Sequence, residues 1–198
     1  MRHRSVAKTV ERTKKLVYVA LFAALTAVLS QISIPLPSGV PLTLQTFAVA
    51  AAGFFLGWKS GLFAVAVYIA LGACGVPVFA GFTGGAYKLV ALTGGFVWGF
   101  LPLVALCGAA GSDMKRPSSL LLALLGLAVC HMIGVGQFAL VTGNPLGASA
   151  LAVSVPYIAK DVLSVLLAAA VVRAAGQRLR PSSAAAGRAV QDRIGHLS

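Results

Sequence analysis

Acidic side chains are scarce in this sequence. Asp and Glu together account for four of its 198 residues, and three residues are His. Enzyme active sites and metal centres need a nucleophile or a ligand set at a defined spacing, whereas these residues are scattered. The sequence therefore predicts a protein that makes or breaks no bond and holds no metal or other cofactor.

Charge of either sign is also rare. Charged residues make up 10% of the chain, hydrophobic residues make up 59%, and the mean hydropathy is +0.92. Soluble domains carry about 25% charged residues. With about 20 apolar residues per membrane crossing, this length allows five or six short helices and no second soluble domain. The predicted fold class is an all-α integral membrane protein, with spans at residues 16–34, 42–56, 61–73, 89–110, 119–141 and 148–175.

Cysteine is limited to Cys74, Cys107 and Cys130, which have no metal-binding spacing. An odd number leaves at least one thiol unpaired. All three are predicted to be small buried packing residues.

The net charge of +12 would suggest nucleic acid if the protein were soluble, so the positions of the charges decide. Fourteen of the 16 basic residues lie before the first apolar run, in every second gap or in the tail. They are Arg2, Arg4, Lys8, Arg12, Lys14, Lys15, Lys59, Lys115, Arg116, Arg173, Arg178, Arg180, Arg188 and Arg193. This alternation predicts six spans with both termini in the cytoplasm and no nucleic-acid partner.

The expected domains are a basic cytoplasmic segment at 1–15, a six-helix membrane domain at 16–175 and a loosely ordered cytoplasmic tail at 176–198. The basic segment would contact anionic membrane lipids. The first apolar run is longer than the usual core of a signal peptide, so it is expected to stay as the first helix.

Two lysines are not explained by topology, and one of them lies beside an acid. Lys160 and Asp161 interrupt the apolar run after VPYIA, where Tyr157 shares the helical face of Asp161. Lys88 lies within the glycine-rich stretch 75–96, at the entry to the fourth span, and Gly84 and Gly85 of this stretch would allow backbone to approach a ligand closely. The two segments predict a site for an amphoteric ligand. The alternatives are a Lys160–Asp161 pair that only neutralises itself and a Lys88 that extends to the outer surface.

Other polar and small residues have two readings each. Thr43 and Gln45, in the proline-rich stretch 34–47 at the mouth of the second span, either bind a ligand or are solvated at the interface. His131 is expected to be hydrogen-bonded packing. Ala20, Ala23, Ala24 and Ala27 of the first span form two overlapping pairs of small residues, which pack either inside the bundle or on an external partner.

Three segments resemble one family. They are IPLPSGVPLTLQTFAVAAAGFFLGWKSG, GVPVFAGFTGGAYKLVALTGGFVWGF and VPYIAKD. They look like the BioY family, the biotin-specific S components of energy-coupling-factor (ECF) transporters in the plasma membrane. The resemblance implies a six-helix fold with an outward vitamin pocket. It also implies a transmembrane T component and two cytoplasmic ATPases as partners.

By this resemblance, Thr43 and Gln45 belong to the first-loop motif, Gly84, Gly85 and Lys88 to the third-loop motif, and Asp161 to the acidic position of the last helix. The first-helix alanines resemble the motif that docks on the T component. The chain departs from the family pattern at Lys160, where a glycine is common, and at Ser164, near which a lysine is common. The lysine that pairs with the biotin carboxylate therefore stays open. The alternative functions are an S component for another small vitamin and a membrane assembly subunit without transport.

Overall fold

The computed structural model describes residues 2–113 and 116–179, with side chains described for 11–113 and 116–176. Its elements, in chain order, are α1 Arg2–Gln31, β1 Ser33–Ile34, β2 Leu42–Thr43, α2 Gln45–Ala73, α3 Tyr87–Val90, α4 Gly94–Ala110, α5 Pro117–Thr142, α6 Leu146–Val153 and α7 Val155–Leu179. Helices dominate the described chain. Helix α7 extends to Leu179. Of the tail predicted at 176–198, residues 180–198 lie outside the described part.

Membrane-spanning character is evident in the helices. Within the described residues, four helices are long and apolar enough to cross a bilayer: Glu11–Gln31, Gln45–Ala73, Pro117–Thr142 and Val155–Gly176. Large apolar side chains such as Leu16, Leu121, Leu140 and Leu163 are exposed on their outer faces. Lipid chains solvate such surfaces as well as a protein interior does. The predicted class of helical membrane protein is confirmed.

Helix α2 folds back on itself. Gly57 interrupts it with φ 76° and ψ 170°, a conformation that a residue without Cβ adopts readily. Gln45 Nε2 lies 2.6 Å from the Tyr68 hydroxyl, although a straight helix would separate residues this far apart by about 35 Å. A Cβ on Gly61 would lie 3.3 Å from the Gly53 Cα. The predicted second and third spans are therefore two antiparallel arms of α2, and the turn predicted between them is present.

The core lies between α2 and α4. A Cβ placed on Gly53 would come within 2.5 Å of the Val104 carbonyl oxygen, so the two helices touch through their backbones. Val49 and Leu103 fill the adjoining space without exposure. Cys107 and Cys130 are buried as predicted. The prediction for Cys74 was wrong: it is exposed, because it follows the last residue of α2 at the end of the arm.

Two predicted spans are interrupted. The span predicted at 89–110 begins with the single turn α3, and three residues separate it from α4. The span predicted at 148–175 is divided into α6 and α7 at Ser154, which has φ −120° and ψ −55°. Pro156 follows in the first turn of α7, where its missing N–H is tolerated but where it cannot continue a preceding helix. Both predictions of one uninterrupted helix were wrong.

The proline-rich segment after α1 forms a small hairpin. β1 and β2 pair antiparallel, with Ser33 opposite Thr43 and Ile34 opposite Leu42. The loop between them is held by a hydrogen bond from the Gly39 N–H to the Leu36 carbonyl at 3.0 Å. This hairpin brings the residues before α2 over one end of the helices.

Candidate functional site

A cavity of about 300 Å3 lies beneath the β1–β2 hairpin, among α2, α4, α5, α7 and the loop before α3. This volume is at the lower end of the range for small-molecule pockets, about 300 to 1,000 Å3. Phe96, Val97, Phe100 and Leu127 form an apolar wall. Six of the eight sequence-predicted site residues line it: Thr43, Gln45, Lys88, Tyr157, Lys160 and Asp161. The structure therefore brings together groups that are more than 100 residues apart.

The polar face of α7 holds the hairpin. The Tyr157 hydroxyl donates to the Val40 carbonyl and lies 3.1 Å from the Ser38 hydroxyl. The Lys160 ammonium donates to the Thr43 carbonyl at 2.8 Å. Because Tyr157 is buried, its ring packs under the hairpin loop rather than against lipid. These contacts close one side of the cavity.

Asp161 is buried at the centre of this polar group, with 6% of its surface exposed. The Lys160 ammonium forms an ion pair with Asp161 Oδ1, and His131 Nε2 lies 3.3 Å from Oδ2. Thr46, which also lines the cavity, contacts this carboxylate as well, and the Asp161 Oδ1 atom is buried. A carboxylate oxygen has capacity for more than one donor. Asp161 can therefore accept a further N–H from a molecule in the cavity.

Lys88 supplies a second positive charge to the cavity. Its ammonium lies 5.5 Å from the centroid of the Tyr87 ring, which gives a weak cation–π attraction. In the described part of the chain, Lys88 forms no ion pair, whereas Lys160 is already balanced by Asp161. A negatively charged ligand group would thus meet an uncompensated ammonium at Lys88.

Thr43 and Gln45 are buried and joined to each other. The Thr43 hydroxyl donates to Gln45 Oε1 at 3.0 Å, and Gln45 Nε2 donates to the Tyr68 hydroxyl at 2.6 Å. Tyr68 comes from the other arm of α2 and is fully buried. The Gln45 amide is therefore held in one orientation at the cavity wall, which excludes the solvated-interface alternative for this residue.

Gly84 and Gly85 are not among the residues that line the cavity. A Cβ on Gly84 would lie 2.5 Å from the Val76 carbonyl oxygen, and Gly85 has φ +105°. The Gly85 N–H donates to the Gly72 carbonyl at 2.7 Å. The close backbone approach at Gly84 is to the start of its own loop, and that at Gly85 is to the end of α2.

The same loop is fastened to the end of α1 by Gln31. Gln31 Nε2 lies 3.3 Å from the carbonyl oxygens of both Val78 and Phe79, and Gln31 Oε1 accepts from the Phe82 N–H at 2.8 Å. Phe79 lines the cavity. Gln31 thus positions one wall, a role that the sequence did not indicate.

His131 is a second residue whose role at the site sequence reasoning missed. It is hydrogen-bonded, as predicted, but it also lines the cavity and contacts Asp161. Its other ring nitrogen, Nδ1, lies 2.9 Å from the Ser154 hydroxyl. A single His in an apolar helix has no partner in its own sequence neighbourhood. Only its distance to α7 reveals this contact.

The four alanines of α1 divide between two faces. Ala20 and Ala24 are exposed, whereas Ala23 is buried and Ala27 is half-buried against the core. At about 100° per residue, positions four apart share a face and neighbouring positions do not. The internal alternative therefore fits Ala23 and Ala27, and an external partner can reach Ala20 and Ala24.

The sequence is similar to named transport proteins. Residues 1–181 match the sequence profile of the BioY family. The biotin transporter BioY of Rhodobacter capsulatus is 35% identical over 179 residues, which cover 83% of this chain and 94% of that protein. The probable biotin transporter BioY of Pyrococcus horikoshii is 43% identical over 123 residues, or 62% of this chain and 73% of that protein.

The fold is similar to a solved structure as well. The crystal structure of the S-component for biotin from an ECF-type ABC transporter superposes with a TM-score of 0.76 and 27% identity, covering 84% of this chain and 93% of that one. The sequence match extends over nearly all of the described residues, and the three-dimensional match agrees with it. This chain belongs to the BioY family.

Proposed function

We propose that this protein binds biotin in the cavity and carries it across the plasma membrane as the substrate-binding S component of an ECF transporter. One observation carries this function: a largely apolar cavity presents an acid with acceptor capacity and, at Lys88, an ammonium that forms no ion pair within the described part of the chain. Such groups are costly inside a membrane unless they meet a partner or a ligand. The names of the family relatives favour biotin as that ligand.

The chemistry of biotin matches the cavity. The ureido ring of biotin has two N–H donors, which suit the Asp161 carboxylate. Its bicyclic ring and alkyl chain are apolar and suit the wall around Phe96 and Phe100. Its carboxylate needs a cation. We assign that role to Lys88, because Lys160 is already engaged by Asp161 and by the Thr43 carbonyl.

Transport requires a defined topology. We propose six crossings, formed by α1, the two arms of α2, α4, α5 and the α6–α7 pair. Both arms of α2, residues 45–56 and 58–73, and helix α4 are shorter than the about 20 residues of a full crossing, so the hairpin and the loop before α3 would complete the outer side. Both termini would then lie in the cytoplasm, in agreement with the distribution of the basic residues.

Biotin is bound and released without chemical change, so the energy has to come from partners. We propose a T component and two cytoplasmic ATPases, with Ala20 and Ala24 as the docking face for the T component. In a bilayer the hydrophobic effect does not drive helices together, so their association depends on close packing. Small residues allow that close approach.

Equilibrium binding tests the substrate. Purified protein in detergent or nanodiscs is titrated with labelled biotin, and unlabelled biotin and other water-soluble vitamins are added as competitors. Saturable binding displaced by biotin alone is the expected result. Displacement by a different vitamin would keep the proposed S-component architecture but change its substrate. An absence of any vitamin binding would favour an assembly subunit.

Docking is tested with Ala24→Trp, which places a large side chain on the proposed contact face. We expect biotin binding to be retained and co-purification with a co-expressed T component to be reduced. Leu163→Trp, on the exposed face of α7, is the matched control. Equal recovery of the T component with both variants would contradict docking through α1.

A further inference from the structure

His131 links α5 to both the break before α7 and the carboxylate of Asp161. It is 7% exposed, and its imidazole packs edge-to-face against Phe96 with ring centroids 5.8 Å apart. Its Nδ1 lies 2.9 Å from the Ser154 hydroxyl, and its Nε2 lies 3.3 Å from Asp161 Oδ2. Three contacts from three directions therefore fix the plane of the ring.

The partners also determine which nitrogen carries the proton. An ionised carboxylate only accepts hydrogen bonds, whereas a serine hydroxyl can donate or accept. The arrangement is satisfied by a neutral imidazole that donates from Nε2 to Asp161 and accepts at Nδ1 from Ser154. A second positive charge is not needed, because the Lys160 ammonium already balances Asp161.

The consequence concerns the orientation of the carboxylate. With His131 on Oδ2 and Lys160 on Oδ1, rotation of the Asp161 side chain would break one contact or the other. A cyclic urea presents its N–H donors in a fixed geometry, so a fixed acceptor binds it better than a rotating one.

From this geometry we infer that His131 is a positioning residue, which holds the Asp161 carboxylate through Nε2 for the N–H donors of the ligand. The inference rests on the proposed function, because it assumes that biotin occupies the cavity with its ureido ring at Asp161. It assigns His131 a role in affinity that ordinary packing would not give it.

Two amide variants separate positioning from packing. In His131→Gln the amide nitrogen can occupy the place of Nε2 and still donate to Asp161, whereas in His131→Asn it reaches only the place of Nδ1. We expect His131→Gln to stay within about threefold of the wild-type affinity for labelled biotin and His131→Asn to lose about tenfold, the effect of one charge-assisted hydrogen bond. Equal losses in both variants would overturn the inference.

A double-mutant cycle with Asp161→Asn supplies the second readout. If His131 acts through Asp161, His131→Asn adds less than about twofold to the loss caused by Asp161→Asn alone, because coupled residues are not additive. Fold-losses in affinity that multiply, which means additive losses in binding free energy, would identify His131 as a packing residue only. If His131→Asn does not give monodisperse protein, Ser154→Ala is used in its place. Ser154→Ala removes the partner of His131 Nδ1 without touching Asp161. An unchanged affinity of Ser154→Ala for biotin would also overturn the inference.

The outcomes separate the two proposals. A wild-type protein that binds no biotin overturns both the function and the role of His131. A wild-type protein that binds biotin, with an affinity that depends on Asp161 but with additive losses in the cycle, overturns the role of His131 alone.

Discussion

Replacement of Asp161 by Asn tests the centre of the site. Asn keeps the shape of the side chain and removes its charge. The Lys160 ammonium then loses its ion-pair partner. In the proposed binding mode, the ureido N–H of biotin loses a charged acceptor. A hydrogen bond to a charged group contributes about 1.5 to 3 kcal/mol. The affinity for biotin should therefore fall by about tenfold to 150-fold.

The same change should also lower the stability of the protein, and the partial exposure of Lys160 limits the size of this loss. The Asp161 side chain is 8% exposed, whereas the Lys160 side chain is 21% exposed. The Lys160 ammonium can therefore reach water after the substitution. The cost should therefore stay below the roughly 3 to 5 kcal/mol that breaking a fully buried pair entails. A thermal melt in detergent separates this loss of stability from the loss of affinity.

A matched control exists outside the cavity. Asp113 pairs with Arg116 at 3.6 Å and with Arg173 at 3.0 Å, and its side chain is 48% exposed. Asp113→Asn makes the same chemical change without touching the cavity lining. Titrations with labelled biotin should show a loss for Asp161→Asn and none for Asp113→Asn. A folded Asp161→Asn protein with wild-type affinity would refute the site.

Three further changes test the carboxylate partner, the loop and the core. Lys88→Met should weaken the binding of biotin by about tenfold and leave the binding of biotin methyl ester unaffected. Lys160→Met should weaken the binding of both ligands, because it also disturbs Asp161. Competition titrations distinguish these patterns. Gln31→Glu removes the donor to the loop before α3, so faster amide exchange in that loop and faster biotin dissociation are expected, and unchanged rates would contradict the role of Gln31. Gly53→Ala should cost about 1 to 3 kcal/mol of stability by overpacking the α2–α4 contact, with Gly136→Ala, where a Cβ meets nothing within 4 Å, as the control in thermal melts.

Much of the fold was readable along the chain. Hydropathy predicted a helical membrane protein. The turn predicted between the second and third spans is present at Gly57, where α2 folds back. Breaks inside apolar runs were harder to predict. The division at Ser154 leaves the hydropathy of both flanking helices high, so a run at 148–175 looks continuous although its backbone is not.

The candidate site was predictable where a residue conflicted with its own surroundings. Lys160 and Asp161 stand out because a charge in an apolar run is costly, and both line the cavity. His131 and Gln31 carry no such conflict, because a single polar residue can be satisfied by nearby backbone. Their contacts with Asp161 and with the Val78 carbonyl join residues 30 and 47 positions apart.

By itself, the amino-acid sequence determined the membrane class, the family and the short set of polar side chains that an apolar interior has to satisfy. These depend on composition and local order, which add up along the chain. Only the tertiary structure decided which of those side chains meet: that Lys160 is engaged while Lys88 is left without an ion pair among the described residues, that Gly84 and Gly85 shape a loop, and that Ala23 faces inward. Hydrogen bonds and ion pairs form within a few ångströms, and that proximity exists only once distant segments have packed together.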